Sequence, residues 1–337
     1  MSGNNQHRQS TPDRVSAELL SGQPRYSARD LAEHANCDLE QVHSYWLAMG
    51  LPAPDDDVHH FTQLDLDRFS QWITQVRDSG ITQETAESLL RAYSYTGDRV
   101  ALWQFEALTR DYMSRYRLDD TSARLVALDR ISDFLPMLEA QMTYTWRREL
   151  ENLLRNTSEE VGARGRDDPN VYPLVRALGF VDMVSYTSTS SQLTASELAA
   201  LVTRFEQVSR NLVTAHGCRV VKTIGDAVLF IGNDLLQVAE LACDLVQQMD
   251  KDQQLLPVRA SLVSGRVLSR SGDVFGPPVN LAARIVDVAR NGQVLTDTTT
   301  AENLEHQIVG DVRLDPAGEY ELAGIGAVKL WQLRCGV

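Results

Sequence analysis

The sequence predicts an α+β chain in two parts: a helical half, then a mixed half in which strands and helices alternate. Three observations carry this. Apolar residues recur at three- and four-residue spacing as far as about Leu154, which is the helical period. From residue 174 onward they gather into short β-rich runs such as 174–184 and 227–231. The 337 residues also exceed the roughly 100–200 of a single domain, so two domains are expected. Hairpin signals mixed with crossovers favour an α+β sandwich over a doubly wound sheet.

Each helical element has a local reason. Ser27-Ala-Arg-Asp30 reads as a helix cap ahead of Leu31 and Ala32. A turn at Asn36-Cys37-Asp38 follows. The next helix carries Val42, Tyr45, Trp46 and Met49 at helical spacing and stops at Gly50. Residues 52–60 are loop-like, and Thr62-x-x-Asp65 opens another helix. Further helices are expected over 83–95, 99–113 and 122–136. Leu138, Met142, Trp146, Leu150 and Leu153 then make an amphipathic helix over 138–154. It leads into a polar, glycine-containing linker at 156–170. The polar start implies disorder over 1–20, a helical domain over 21–155 and a mixed domain over 171–337.

In the mixed domain, 174–184 reads as a buried strand. Thr194-Ala-Ser-Glu197 is a capping box before Leu198, Leu201, Val202, Phe205, Val208 and Leu212, and His216-Gly217 ends that helix. Residues 218–224 and 227–231 are β-rich runs separated by Gly225-Asp226, a hairpin signal. A helix over 235–249, a strand over 258–263 and a helix over 277–289 with proline at its start follow. Strands are expected over 294–297 and 320–333.

Composition bounds function. Hydrophobic residues make up 43% and charged residues 23%, ordinary for a globular protein and too apolar for a disordered one. Lys and Arg number 32 against 46 Asp and Glu, a formal net charge of −14. That balance opposes nucleic-acid binding and docking on an anionic membrane. No apolar run approaches the roughly 18 residues of a membrane span, and no signal peptide opens the chain. Cys37, Cys218, Cys243 and Cys335 are far apart in sequence. They make no zinc or redox motif and are expected to be reduced, in a cytoplasmic protein.

Three segments could carry chemistry. Asp182 lies in Phe180-Val-Asp-Met-Val-Ser-Tyr-Thr187, where an apolar strand breaks into hydroxyl residues. Asp226 lies in Lys222-Thr-Ile-Gly-Asp226, at a tight turn. Carboxylates at strand ends suit divalent metal and phosphate, because Mg²⁺ is usually held by one or two carboxylates plus substrate phosphates. Two such ions can clamp the attacking and leaving oxygens of an in-line displacement. In Gly272-Asp-Val-Phe-Gly-Pro-Pro-Val-Asn-Leu-Ala-Ala-Arg284, Asn280 and Arg284 are four apart and share a helical face. An amide and a guanidinium there can orient a sugar and neutralise developing phosphorane charge.

Together these segments resemble the catalytic domain of class III adenylyl/guanylyl cyclases over residues 172–333. The pieces that carry the resemblance are Phe-x-Asp-x-x-x-x-Thr, Lys-Thr-Ile-Gly-Asp and Asp-Val-Phe-Gly-x-x-Val-Asn-x-Ala-x-Arg, in the family's order. The resemblance implies a ferredoxin-like fold. It implies two Mg²⁺ or Mn²⁺ ions on Asp182 and Asp226, Asn280 orienting the ribose, and Arg284 stabilising the transition state at the α-phosphate. It also places Lys222 and Asp273 at the two purine-reading positions. Adenine presents an acceptor at N1 and a donor at N6, and guanine reverses both. A lysine donates only and an ionised aspartate accepts only, so the pair matches ATP. The implied reaction turns ATP into 3′,5′-cyclic AMP and pyrophosphate. The family's site takes residues from two chains, so a head-to-tail homodimer with two shared sites is expected. Two departures stand out. Ala323 occupies the place of a triphosphate-binding lysine, with Lys329 nearby, and Ser185-Tyr186 replaces a commoner Gly-Phe pair. Ala323 is the one hint of an alternative, a nucleotide-sensing regulator with weak catalysis.

In the helical half, 26–69 looks like the helix-turn-helix of MerR-type regulators. The would-be recognition helix, 38–50, carries Asp38, Glu40 and His43 but no Lys or Arg, and Asp55, Asp56 and Asp57 follow. Base and phosphate readout need the opposite charge, so DNA binding is not expected. The layout is similar to actinobacterial cyclases with an autoinhibitory helical domain. Five of the seven histidines lie in the first 60 residues. Histidine titrates near physiological pH, so His34, His43, His59 and His60 are candidate regulators of helical packing.

Overall fold

The computed structural model describes residues 11–163, 174–270, 272–307 and 312–334. The chain divides into two compact units, Met1–Arg164 and Gly165–Val337.

The first unit is helical: α1 (Thr11–Leu19), α2 (Ala28–Ala35), α3 (Leu39–Ala48), α4 (Gln63–Ser79), α5 (Gln83–Tyr116), α6 (Asp120–Arg130) and α7 (Leu135–Ala163). Ser27, Asp38 and Thr62 each close a reciprocal capping box, so α2, α3 and α4 begin where the sequence places them. Asn36 ends α2 in the left-handed region. Leu31, Val42, Trp46, Phe61 and Phe69 form the core of these three helices, with Trp46 stacked on Phe61 at 4.8 Å between ring centroids.

Four sequence expectations are corrected in this unit. Residues 11–19 are helical rather than disordered. Val15 is buried, Arg14 pairs with Asp129, and Ser132 bonds Glu18, all partners more than a hundred residues away. The helices expected at 83–95 and 99–113 are one, α5. Gly97 inside it costs only about 1 kcal/mol relative to alanine. The Arg99 guanidinium spans the weak point, lying 5.8 Å from the Tyr95 ring and 5.0 Å from that of Trp103. Pro136 falls in the first turn of α7, where its missing N–H does no harm, and so begins a helix instead of ending one. Finally, α7 runs on to Ala163, through the first part of the expected linker at 156–170.

The second unit contains β1 (Leu174–Met183), α8 (Tyr186–Ser190), α9 (Ala195–Ala215), β2 (Arg219–Ile224), β3 (Ala227–Gly232), α10 (Leu235–Lys251), β4 (Val258–Arg270), β5 (Asp273–Phe275), α11 (Pro277–Val288), β6 (Val294–Asp297), α12 (Thr298–Glu305), β7 (Arg313–Leu322) and β8 (Gly326–Arg334). The sheet order is β2-β3-β1-β4-β6-β8-β7, with β5 paired to β4 beside it. The β2-β3-β1-β4 part is antiparallel throughout, with α9 and α10 as crossovers, which is the ferredoxin-like order. Among the described residues only β4 and β6 run parallel, joined through β5 and α11.

The two faces of β1 feed two cores, because successive side chains alternate. Ala177, Val181 and Met183 join Phe205 of α9 and Leu241 and Leu245 of α10. Leu178 and Phe180 join Ala282, Ile285 and Val286 of α11. Gly179 sits where β1 is tightest. A Cβ there would lie 2.0 Å from the Ser261 carbonyl oxygen and 2.7 Å from the Phe230 ring. Gly179→Ala is therefore expected to cost about 3 kcal/mol, the upper end for overpacking, and urea denaturation of the full chain would read it.

Elements of this unit that the sequence left unassigned are β5, α8, α12 and most of β7, and the stretch 320–333 resolves into the end of β7, a turn and β8. Cys37 and Cys218 are free thiols, but Cys243 is disulfide-bonded, against the expectation of reduced cysteines.

Candidate active site

Asp182 stands on β1, opposite Ala227 of β3 and Arg259 of β4. Asp226 occupies the turn between β2 and β3. Gly225 precedes it at φ +61°, a left-handed conformation that makes the turn tight. The Met183 N–H donates to the Asp226 carbonyl at 3.0 Å, which pins the turn to the end of β1. The two aspartates therefore lie at one end of the sheet.

Asp182 is only 13% exposed, and two nitrogens of Arg259 hold one of its oxygens. Nε of Arg259 donates at 2.8 Å and Nη2 at 2.7 Å, both to Oδ2. Burial pushes the Asp182 carboxyl above its ordinary range. Arg259 pulls it back, while the charges of Asp226 and Asp287 raise it further. A desolvated carboxylate with a second one beside it is an arrangement that a divalent cation would favour. Among the described residues no group of three or more His, Cys, Asp or Glu could hold a metal. A divalent ion on Asp182 and Asp226 would complete its oxygen shell from elsewhere, and that donor set fits Mg²⁺ or Mn²⁺ bound together with phosphates.

Lys222 and Asp273 are 51 positions apart and meet across β2 and β5. Lys222 Nζ donates to Asp273 Oδ2 at 2.6 Å. Burial pushes the Asp273 carboxyl up, but the Lys222 hydrogen bond, the Val274 N–H and the charges of Lys222 and Arg219 outweigh it, so the net shift is downward. A bulge in β2 between Val220 and Lys222 shifts the register just before the lysine.

Asn280 and Arg284 are exposed on α11, one turn apart, while Ala282 and Ile285 bury the opposite face. Arg284 Nη1 lies 3.4 Å from Asp287 Oδ2. The structure thus joins Asp182 to Asp226 and Lys222 to Asp273. Among the described residues it links neither pair to Asn280 or Arg284 by a hydrogen bond or ion pair.

Ala323 is exposed in the β7–β8 turn, and Lys329 is exposed on β8 opposite Glu319. Ser185 has φ +63°, the region a glycine reaches without strain, which accounts physically for the commoner glycine there. The histidines differ among themselves. His43 Nε2 lies 2.8 Å from Asp56 Oδ1, and His34 Nδ1 lies 2.8 Å from the Asp30 carbonyl. His59 and His60 are exposed in the loop.

Sequence reasoning missed Arg259. Its signal was a lone guanidinium in the otherwise apolar run Val258-Arg-Ala-Ser-Leu-Val263. A charge in a buried strand needs a partner, and Asp182 is that partner.

Comparison with known proteins follows the same lines. The family described as adenylate and guanylate cyclase catalytic domain matches residues 175–335. The chain is 35% identical over 329 residues to an adenylate cyclase of Glutamicibacter nicotianae, covering 94% of this chain and 81% of that one. It is 32% identical over 295 residues to an adenylate cyclase of Streptomyces coelicolor, covering 86% and 74%. It is 28% identical over 319 residues to a pH-sensitive adenylate cyclase of Mycobacterium tuberculosis, covering 92% and 78%.

Proposed function

The chain belongs to the adenylate and guanylate cyclase family, and from that premise we propose that it is an adenylate cyclase regulated by its helical unit. The observation that carries the reading is the meeting of Asp182 and Asp226 at one end of the sheet. In the reaction the ribose 3′-hydroxyl gives its proton to solvent, its oxygen bonds to the α-phosphorus, the bond from that phosphorus to the bridging oxygen breaks, and pyrophosphate leaves. Asp182 and Asp226 would hold two divalent ions, Mg²⁺ or Mn²⁺, which supply charge neutralisation and an acidified hydroxyl when bound. Asn280 orients the ribose by its amide. Arg284 donates to the phosphorane oxygens, where charge grows in the transition state. Lys222 and Asp273 read adenine N1 and N6.

Among the described residues Asn280 and Arg284 make no direct hydrogen bond or ion pair to the aspartates, and a site shared between two chains would account for that. Each chain of a head-to-tail homodimer then gives aspartates to one site and α11 to the other. The test is complementation. Asp226→Ala and Arg284→Ala chains are each inactive alone. Mixed, half the dimers carry one intact site, so cyclic AMP formation recovers to about a quarter of the unmodified level. Heterodimers shown by differential tags but without activity would refute the shared site.

The helical unit is proposed to restrain the enzyme and to make it pH-sensitive. Met142, Trp146 and Leu150 lie exposed along α7, a stripe suited to a second copy of the chain. His43 and Asp56 tie α3 to the 52–60 loop, and that tie is ionic only while His43 is protonated. The same loop accepts the Arg29 N–H at Asp56 and the Arg29 guanidinium at Asp57, so α2 shares it. His43→Gln is therefore expected to flatten the pH profile of the full chain, while His59→Gln and His60→Gln leave it unchanged. A chain shortened to begin at Arg166 is expected to be faster than the full chain and to lack the pH step. The reading also places the protein in the cytoplasm, with ATP and without nucleic acid. No helix among the described residues is long and apolar enough to cross a membrane.

A further inference from the structure

We propose that the helical unit holds a binding site for a small flat ring that carries a negative charge. The site is the cavity of about 390 Å³ between α3, α4 and α5. Pockets for small molecules run from roughly 300 to 1,000 Å³, mostly apolar, with a few polar groups that fix the ligand. None of the lining residues lies in the catalytic unit, so the site stands or falls apart from the cyclase reading.

Three helical faces make the cavity. Arg68, Gln71, Trp72 and Gln75 are spaced three and four apart along α4 and share one side of it. Leu66 and Phe69 of the same helix turn instead to the core that α4 shares with α2 and α3. Leu90 and Tyr93 come from α5 by the same spacing, and Tyr45 comes from α3. Leu90 is buried, while Tyr93 is 55% exposed. Ser94 Oγ donates to the Met49 carbonyl at 2.5 Å, which ties the end of α3 to α5 at the cavity wall. An occupant therefore touches all three helices.

The lining sets the chemistry of the ligand. Tyr45, Trp72 and Tyr93 supply rings, and Tyr45 and Trp72 stand 6.4 Å apart at 58°. Aromatic groups at such separations gain by stacking and edge-to-face contact, so a further ring is favoured among them. The charge comes from Arg68. The chain carries 46 acidic residues and a net charge of −14, yet no Asp or Glu stands among the described residues that line the cavity. Among the described residues Arg68 has no carboxylate partner. Its Nη1 donates to Gln71 Oε1 at 3.2 Å, and its other donors are left for a ligand. Asp65, one turn earlier, is committed to the cap of α4, where it accepts the Thr62 N–H at 2.7 Å and the Thr62 hydroxyl at 2.9 Å. Asp67 accepts the Gln63 amide at 2.8 Å. A guanidinium free of carboxylates beside three rings suits a carboxylate or phosphate attached to a flat ring. The Gln75 amide, both donor and acceptor, suits a ring edge with heteroatoms. A nucleoside monophosphate and an aromatic carboxylate share this chemistry. A straight-chain acid would use Arg68 but not the rings.

Equilibrium dialysis of the full chain tests the site with cyclic AMP, indole-3-carboxylate and decanoate, and with neutral indole as the control. A ring-bearing anion is expected to bind at one per chain, and whichever of the two binds tighter tells a nucleotide from an aromatic carboxylate. Arg68→Gln is expected to weaken that anion by about tenfold, the size of one hydrogen bond to a charged group, and to leave indole unchanged. Arg68→Lys, which keeps the charge, is expected to recover part of the loss. Trp72→Leu keeps an apolar wall but removes a ring. It is expected to weaken the ring-bearing anion by about tenfold and to leave decanoate unchanged. Arg68 is exposed, so Arg68→Gln is expected to melt with the unmodified chain, which separates lost binding from lost fold. Cyclic AMP held only in the catalytic unit is displaced by ATP and indifferent to Arg68→Gln. Decanoate binding more tightly than both ring-bearing anions overturns the recognition of a ring. Failure of both ring-bearing anions to bind, or binding of both that Arg68→Gln leaves unchanged, overturns the site.

Discussion

Asp182→Ala or Asp226→Ala is expected to lower cyclic AMP formation by about a thousandfold, with the fold intact. The size follows from the role. Charge stabilisation by a metal pair is worth several kcal/mol, and about 1.4 kcal/mol is a factor of ten. The two variants should differ in stability. Asp226 lies in a turn whose tie to β1 uses the main chain, so its side chain can go at little structural cost. Asp182→Ala strands Arg259, which is only 24% exposed and has two of its nitrogens turned toward that carboxylate. It should melt below Asp226→Ala. Isotope-labelled ATP turnover with Mn²⁺ and thermal melts read both effects. Wild-type turnover in Asp226→Ala would remove the metal pair from the mechanism.

The raised Asp182 carboxyl adds a pH signature to the same experiment. Burial, with Asp226 and Asp287, lifts it against the pull of Arg259. A carboxyl raised by folding holds its proton more tightly in the native chain than in the unfolded one. Its contribution favours the fold most below the ordinary carboxylate range and fades as pH rises through the raised one. Metal binding runs the other way, since the proton competes with the cation. Mn²⁺ affinity should therefore fall with decreasing pH earlier than it would for an exposed aspartate. The Asp273 carboxyl is lowered instead, by Lys222 and its neighbours, so the tie between the purine readers persists above the ordinary range and fails only in stronger acid.

What could be read from the sequence was local. Ser27, Asp38, Thr62 and Thr194 announce helix starts because a cap needs only its own next three residues. Gly225-Asp226 announces a hairpin for the same reason, and with it the position of one of the two carboxylates proposed to hold metal. What could not be read was held from a distance. The helix over residues 11–19 is tied to Asp129 and Ser132, more than a hundred positions on. The strand β5 exists only against β4, and Arg259 acquires meaning only beside Asp182, 77 positions earlier. The expected break in α5 shows the opposite error, since a local breaker, Gly97, was outweighed by ordinary helix formers and a stacked arginine.

Exchanging the purine readers is expected to move the ratio of kcat/KM for ATP over GTP by about a thousandfold. The argument is one of hydrogen-bond sign. Lys222 can only donate and ionised Asp273 can only accept, and the structure sets them side by side at 2.6 Å. Against adenine both contacts form. Against guanine both are reversed, so a half-buried donor faces a donor and an acceptor faces an acceptor. Each unmade contact to a charged group costs about 1.5–3 kcal/mol. The single change Lys222→Glu is insufficient, because it brings a second carboxylate against Asp273 and repels the partner it should cooperate with. Lys222→Glu with Asp273→Asn avoids this. The amide can still accept the Val274 N–H through its oxygen, as Oδ1 of Asp273 does at 2.8 Å, and can donate to guanine O6 through its nitrogen. The glutamate accepts from guanine N1. Both readers then keep a partner in each other and in the base. Steady-state kinetics with each nucleotide test the exchange, and an unchanged preference for ATP in the double variant would take purine recognition away from this pair.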